Sequence, residues 1–535
     1  MKTKKISISK KRLFALIIVF FIATLIITKE AGATNYYISA KGNDAANGLS
    51  PRTSWLTIAK INRSTFSPGD SILFKRGDAW REGEALYGLS NGAPGHPVVF
   101  GAYGKGAKPL ILASKDISSP SFWTKSSENN IWKTTSKVNI TKKDLNRGGQ
   151  ITPDVANLIF NNEQSIGVKK RFLTDLKVQG DFSLNLGDTL LYMYSSVNPS
   201  KYYKKIEATG IRNCENNINV VNGHYLTFID LDIRYSKNNG LFLQDCSNIE
   251  ISNCNFSWIG GCYFPIQTFM KSSSPSPVRM GNGVQLWKGN SDVTVKYCNI
   301  NQIYDAGISP QGAGSIYTIK NLRFHHNLIN NCFYSFEFWG HPSASTGDSI
   351  FFENNTCLNA GSGWSALQRP GLKHGAAHLK LYSSDMVFSN VFIRNNIFDK
   401  SVDLCLYSQQ ENSVSNTDKM WEAFTLDNNC YYQASNENPV IRWRGGAAKG
   451  GGDYFMGDLK AYQAKSGKEY HSLFADPKLT SKNTLQPGSP AIDAGIDVGY
   501  PYSGSAPDMG AFEYLEKKHP APLYTTSVYS RKNKK

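Results

Sequence analysis

The chain has 535 residues, of which 40% are hydrophobic, 12% aromatic and 19% charged, and its formal charge is +17. That charge sits mostly at the ends: residues 1–33 hold seven Lys or Arg and one acid, residues 515–535 hold six and one, and the body keeps 46 basic against 40 acidic residues, a net of +6. A body so nearly balanced argues against a nucleic-acid partner and is compatible with an acidic polysaccharide.

Lys2, Lys4, Lys5, Lys10, Lys11 and Arg12 precede an apolar or small run from Leu13 to Thr28, followed by Ala31-Gly32-Ala33. A basic start, a short apolar stretch and small residues form the pattern of a cleaved export signal over residues 1–33. The expected location is therefore outside the cytoplasm, as a secreted, periplasmic or cell-surface protein with no stable membrane span after cleavage. The 16-residue run lies near the lower limit for a span, so an uncleaved anchor is the alternative.

Residues 34–119 begin with a strand at Asn35–Ser39 and a turn at Gly42-Asn43-Asp44. Apolar residues at helical spacing between Trp55 and Ile61 then predict a short capping helix, and Ser67-Pro68-Gly69-Asp70 turns into a strand from Ser71 to Lys75. Between 120 and 214 the alternation in Asn157–Phe160, Gly180–Leu184 and Thr189–Tyr194 predicts short antiparallel strands, an inserted β-module.

Residues 215–514 carry the most informative pattern. One phrase recurs seven times: an apolar residue, two mostly polar ones, then Leu, Cys or Asn, any residue, and another apolar or aromatic one. It starts at Phe228, Ile251, Val295, Phe324, Phe352, Ile393 and Leu426, at intervals of 23, 44, 29, 28, 41 and 33 residues. Repetition at such periods marks a solenoid or propeller. Position four reads Leu231, Cys254, Cys298, Asn327, Asn355, Asn396 and Asn429, a column that suits parallel strands stacked about 4.8 Å apart. Buried amides in such a column can bond along the stack. The fold class expected is all-β: a single-stranded right-handed parallel β-helix with an N-terminal capping helix, the inserted antiparallel module and a C-terminal cap. Residues 515–535 read as a solvated basic tail.

Nine cysteines are present, an odd number, and Cys254, Cys298, Cys357 and Cys430 lie in or beside the phrase. They are expected as reduced, buried ladder members; a Cys214–Cys246 bridge remains open.

Three segments carry a family likeness. Tyr36-Tyr37-Ile38-Ser39-Ala40-Lys41-Gly42-Asn43-Asp44, Pro68-Gly69-Asp70-Ser71-Ile72-Leu73-Phe74-Lys75-Arg76-Gly77-Asp78 and Ser489-Pro490-Ala491-Ile492-Asp493-Ala494-Gly495 resemble secreted parallel β-helix proteins of the pectate-lyase-like superfamily, of the polysaccharide lyase and glycoside hydrolase type. The inserted module looks like one found in several β-helix glycoside hydrolases. The resemblance implies architecture more than activity, because the superfamily holds lyases, hydrolases, epimerases and proteins without catalysis. It also admits calcium as a cofactor, held by carboxylates such as Glu337. The sequence itself has no calcium-loop pattern, His-Glu-x-x-His or Cys-x-x-Cys, and His325-His326 is expected at the surface.

After each phrase comes a second strand, with Leu241/Leu243, Val284/Leu286, Ile308/Pro310, Phe336/Phe338, Leu379/Leu381, Leu404/Leu406 and Ile441/Trp443 as its inward residues. Alternation then turns two columns outward: Phe242, Gln285, Ser309, Glu337, Lys380, Cys405, Arg442, and Gln244, Trp287, Gln311, Trp339, Tyr382, Tyr407, Arg444. Connectors from phrase to second strand take 8, 28, 8, 7, 22, 6 and 10 residues. Two long loops thus leave one corner three coils apart, about 14 Å, and would wall a cleft with Arg279, Trp364, Arg369, Lys373 and His374. Aromatics beside amides and charges suit a sugar chain, with Gln285, Trp287, Gln311, Trp339, His378, Tyr382 and Tyr407 as binding candidates. Packing of the aromatics under the loops is the plainer alternative.

Two chemistries compete. In β-elimination on a uronate polymer, Lys380 would be the base, with Arg442 or a loop arginine neutralising the carboxylate; this is the leading expectation. In hydrolysis, Glu337 and Asp305 would be the carboxyl pair, although Asp305 falls four positions before the residue stacked on Glu337. A plain Glu337–Lys380 salt bridge, or a monomeric glycan-binding surface protein without catalysis, is the remaining alternative.

Overall fold

The computed structural model describes residues 32–81, 85–137, 154–185, 187–210, 216–263, 279–369, 375–382, 386–409, 417–443 and 451–515. Residues 1–31 of the expected export signal, residues 516–535 of the basic tail, Cys214, Lys373, His374 and Arg444 lie outside the described residues. No helix among them is long and apolar enough to cross a membrane.

Three ten-stranded sheets, parallel throughout except for one closing strand, run the length of the molecule. Each coil gives one strand to each sheet; a representative coil comprises His224–Ile229, Asp232–Arg234 and Leu241–Gln244. The next coil stacks on it in register, Phe228 on Ile251, Ile233 on Phe256 and Leu241 on Val284. This is a parallel β-helix. Its interior is a continuous column of Ile, Leu, Val and Phe, each fully buried side chain contributing about 1.5–3 kcal/mol.

The repeated phrase straddles the corner between the first two sheets, and its third residue makes the corner possible. Asp230, Asn253, Tyr297, His326, Asn354, Asn395 and Asn428 all have φ between 48° and 63°, a left-handed conformation that Asn and Asp tolerate best. The fourth residue then points inward. Asn355 Oδ1 accepts from the backbone N–H and the amide of Asn327, both at 3.0 Å. Asn396 does the same for Asn355, and Asn429 for Asn396. Each amide also donates to a carbonyl of an earlier coil, as Asn355 does to Phe324 O at 2.9 Å. Ser472 and the buried Glu469 terminate the column. The described cysteines are buried free thiols, Cys246 among them.

At the N-terminal end Trp55, together with Ile58 and Ile61 of the short helix Ile58–Asn62, plugs the β-helix. The inserted strands begin at Ser114–Asp116, earlier than residue 120, because Leu110–Leu112 still belongs to the second sheet. They form a four-stranded and a five-stranded sheet around their own core of Trp123, Leu158, Phe160, Phe182, Leu191 and Met193. At the other end, Leu473–Phe474 closes the second sheet. The chain then runs back along the ladder corner, where Asn395 exchanges two bonds with Ile496, and Ala511 N donates to Thr356 Oγ1.

Candidate functional site

The third sheet builds the site. Gln285 stacks on Ser309, Glu337 on Lys380, Lys380 on Tyr407 and Tyr407 on Arg442. Beside this file runs Trp287, Gln311 and Trp339, with Tyr382 next. The indoles of Trp287 and Trp339 lean together over Gln311, centroids 6.2 Å apart, and both rings remain partly exposed. Glu337 and Lys380 are at 5% and 2% exposure, so the polar file is a buried floor beneath an aromatic shelf.

Glu337 accepts from Ser309 Oγ at 3.1 Å and from Gln311 Nε2 at 2.5 Å, both through Oε2. These donors are neutral. Burial pushes its carboxyl up to about 8, and neighbouring Asp305 adds to the rise. Asp305 comes from the corner just before its strand, as the spacing indicated, yet the bend there brings it into electrostatic contact with Glu337. Its surroundings differ: Arg369 Nη2 donates to Oδ1 at 2.9 Å. Burial raises Asp305, while Arg369 and Lys380 oppose the rise. The Arg369 guanidinium lies over the rings of Phe333 and Tyr304, at 3.7 and 4.2 Å from their centroids, and donates to Tyr304 O. Lys380 Nζ lies 3.5 Å from the Tyr407 centroid and 4.5 Å from that of Tyr382, an arrangement that holds an ammonium cation.

Tyr334 was not anticipated from sequence. Its strand starts on the outer side, so Tyr334 joins Ala306, Ala377 and Leu404 against Tyr407. Its hydroxyl is hydrogen-bonded with that of Tyr382, and burial raises the ionisation of both phenols. The signal was an aromatic two residues before Phe336, masked because aromatics occupy four of the six positions from Phe333 to Phe338.

Several expectations are corrected. His378 does not face the cleft: fully buried against Phe398, its Nδ1 is bonded with Ser335 Oγ and its Nε2 with Lys400 O. It occupies the corner where two-residue alternation has not begun. Tyr407, not Cys405, stacks on Lys380, because Leu406 rather than Leu404 pairs with Leu379; Cys405 is core. Either register satisfies the apolar pattern of Leu404-Cys405-Leu406. Arg442 lies beyond Tyr407 and makes a two-point contact with Asp453 at 3.0 Å, which keeps it from the carboxyl pair. The Gln285 amide is buried and engaged by Asn282 and Ser309 O, leaving little for a ligand. His325 is buried beneath Tyr500 instead of lying on the surface.

The two long connectors converge at their described ends instead of standing as opposed walls. Trp364 Nε1 donates to Gln302 O, reaching back two coils, and Arg279 bonds both Gln368 and Ala156 O of the inserted module. Arg279 and Trp364 are thus structural brackets. Among the described residues no group of three or more His, Cys, Asp or Glu could hold a metal ion. The surroundings of Glu337 do not suit calcium, since Lys380, Ser309 and Gln311 present a cation and donors where oxygen ligands would be needed.

A comparison with models of known protein families gives no match. Over 91 residues, 16% of this chain, the sequence is 32% identical to a lacto-N-biosidase of Bifidobacterium longum subsp. longum, and the match spans 6% of that protein's length. Among solved structures, a GH136 lacto-N-biosidase from Eubacterium ramulus is similar at 13% identity, with 81% of this chain and 69% of that one covered, at a TM-score of 0.38. XylC in complex with xylose covers 76% and 85% at 12% identity and a TM-score of 0.37. Pectate lyase Pel9A covers 91% and 98% at 15% identity and a TM-score of 0.35.

Proposed function

We propose that this protein is an exported, carbohydrate-active enzyme that cleaves a glycan by hydrolysis, with Glu337 as general acid and Asp305 as its ionised partner. The observation that carries the reading is the contrast between two neighbouring carboxyls: Glu337 accepts from a hydroxyl and an amide with its proton held to about pH 8, whereas Asp305, also raised by burial, accepts from a guanidinium that opposes the rise. Two carboxyls driven apart by their surroundings are the working parts of glycoside hydrolysis. Glu337 would protonate the leaving oxygen, and Asp305 would attack the anomeric carbon or activate water. Lys380, fixed between Tyr382 and Tyr407, would meet hydroxyl or carboxylate oxygens of the sugar, and Trp287 and Trp339 would take its C–H faces. The short likeness to a protein named lacto-N-biosidase agrees with a glycan substrate.

Elimination with Lys380 as base is the second reading, favoured by its place directly beside Glu337 in the register. It fits less well, since Lys380 lies against two ring faces, an arrangement that favours the ammonium form over the free base. Incubation with uronate and neutral polysaccharides separates the two. Hydrolysis releases reducing ends without new near-ultraviolet absorbance; elimination produces that absorbance, and its appearance would overturn the first reading.

A further inference from the structure

The segment carrying Arg369 is tied to the inserted module. Gln368, 4% exposed, accepts through Oε1 from the Lys169 backbone N–H at 3.0 Å and from Arg279 Nη1 at 3.0 Å. Its Nε2 donates to Gly167 O at 2.5 Å, and its own carbonyl accepts from Arg279. Lys169 and Gly167 belong to the module; Lys169 in turn pairs with buried Asp154, whose Oδ2 also accepts from Tyr263 N. One residue onward, Arg369 rests against Phe333 and Tyr304 and bonds Asp305. Tyr304 has the Arg279 guanidinium 4.5 Å from its centroid as well, so the same two arginines hold both the bracket and the ring.

We propose that Arg369, delivered by the Gln368 bracket of the inserted module, is the positioning residue that keeps Asp305 ionised and so leaves the pair's single proton on Glu337. The geometry makes the assignment one-sided. Asp305 accepts a charged bond from Arg369 at 2.9 Å, while Glu337 Oε2 accepts from a hydroxyl and an amide; Lys380 acts on both carboxyls and does not separate them, and a charge-assisted bond favours the ionised acceptor more strongly than neutral ones do. Without Arg369 the two carboxyls would face more equal surroundings and share the proton. The insertion would then be part of the acid–base machinery, since it fixes which carboxyl is the acid. The roles named here rest on the hydrolytic reading, but the proton's location does not.

Infrared spectroscopy of the full chain tests this without any substrate. The protonated-carboxyl C=O band at pH 7 is assigned by subtracting the spectra of Glu337→Gln and Asp305→Asn from the parent. The expected result is a component of that band lost only in Glu337→Gln, with Glu469 and Glu513 contributing to the remainder in every variant. With Arg369→Gln as the background, at least a third of that component should become Asp305-dependent. Arg369→Lys, which keeps the charge, should return most of it to Glu337, and Gln368→Ala should give an intermediate distribution. A component that stays wholly Glu337-dependent in Arg369→Gln and in Gln368→Ala would overturn the proposal, even if the protein proves to be a hydrolase. Conversely, the expected band pattern with no reducing ends from any polysaccharide would remove the hydrolytic reading and leave the positioning intact.

Discussion

At the scale of the residue, the proposed hydrolysis follows from which neutral and charged groups surround two carboxyls. Glu337 titrates near pH 8 because it is buried beside Asp305, so a hydrolase using it as acid should lose kcat as pH rises through about 8, with an acid limb set by Asp305. Glu337→Gln should lower kcat by about 10²–10⁴-fold and remove the alkaline limb; reducing-end release measured from pH 4 to 10 checks both. Trp339→Ala should weaken glycan retention in affinity electrophoresis with kcat less affected, since its ring belongs to the shelf and not to the floor. Wild-type mobility would take Trp339 out of substrate binding. The outward file of Glu337, Lys380 and Trp339 was legible because strand alternation is strict where Phe336, Phe338, Leu379 and Leu381 fix the inward face. Tyr334 and the inward turn of His378 were not, since both lie where the chain rounds a corner; Arg369 was expected at the cleft from its long connector, but not as the partner of Asp305.

At the scale of the element, the recurring unit is a corner: a left-handed residue followed by an inward side chain. The phrase was legible because each coil must present the same backbone turn to the coil below, which selects Asn or Asp at the third position in five of the seven copies and Asn at the fourth in four. The interruptions between copies were less so, because long connectors obey no stacking rule. Asn355→Ala would leave the Asn327 N–H and amide without their shared acceptor and the Phe324 carbonyl without its donor. At about 1–3 kcal/mol for each buried group left unsatisfied, the expected loss is about 3 kcal/mol, concentrated in the coils around residues 324–357. Amide hydrogen exchange should show reduced protection there and little change near residues 226–251. Uniform loss along the helix would mean that the ladder acts globally, and no loss would mean that water replaces the amide.

At the scale of the whole molecule, the C-terminal segment is a strap along the ladder corner, and its anchorage is sensitive to acid. Tyr500 stacks on His325 at 4.3 Å and meets His326 edge-on at 5.2 Å, and its hydroxyl donates to Glu353 at 3.4 Å. The two imidazoles are bonded to each other through their Nδ1 atoms at 2.9 Å, which requires at least one to be unprotonated. Lys296 and Arg323 stand nearby, while Glu353 is already paired with Arg394. Burial lowers His325 to about 3 and His326 to about 4 from an ordinary 6.5. A histidine whose folded value is depressed binds protons more readily when unfolded, so its contribution to stability is complete above about pH 6.5 and is lost as pH falls toward 4 and 3. The strap, held by individual bonds such as those of Asn395 with Ile496 and not by sheet pairing, should loosen before the coils do. Limited proteolysis between pH 7 and 4 should therefore expose sites in residues 496–512 while the 228–431 body stays resistant, and His325→Phe combined with His326→Asn should shift that onset to lower pH. Asn is chosen at 326 because the position is left-handed, with φ of 54°, and a bulkier replacement would add strain of its own. If the double variant loosens at the same pH as the parent, the histidine pair has no part in the acid response; Asp508 and Glu513 cannot supply it, because their raised values favour the folded strap as pH falls.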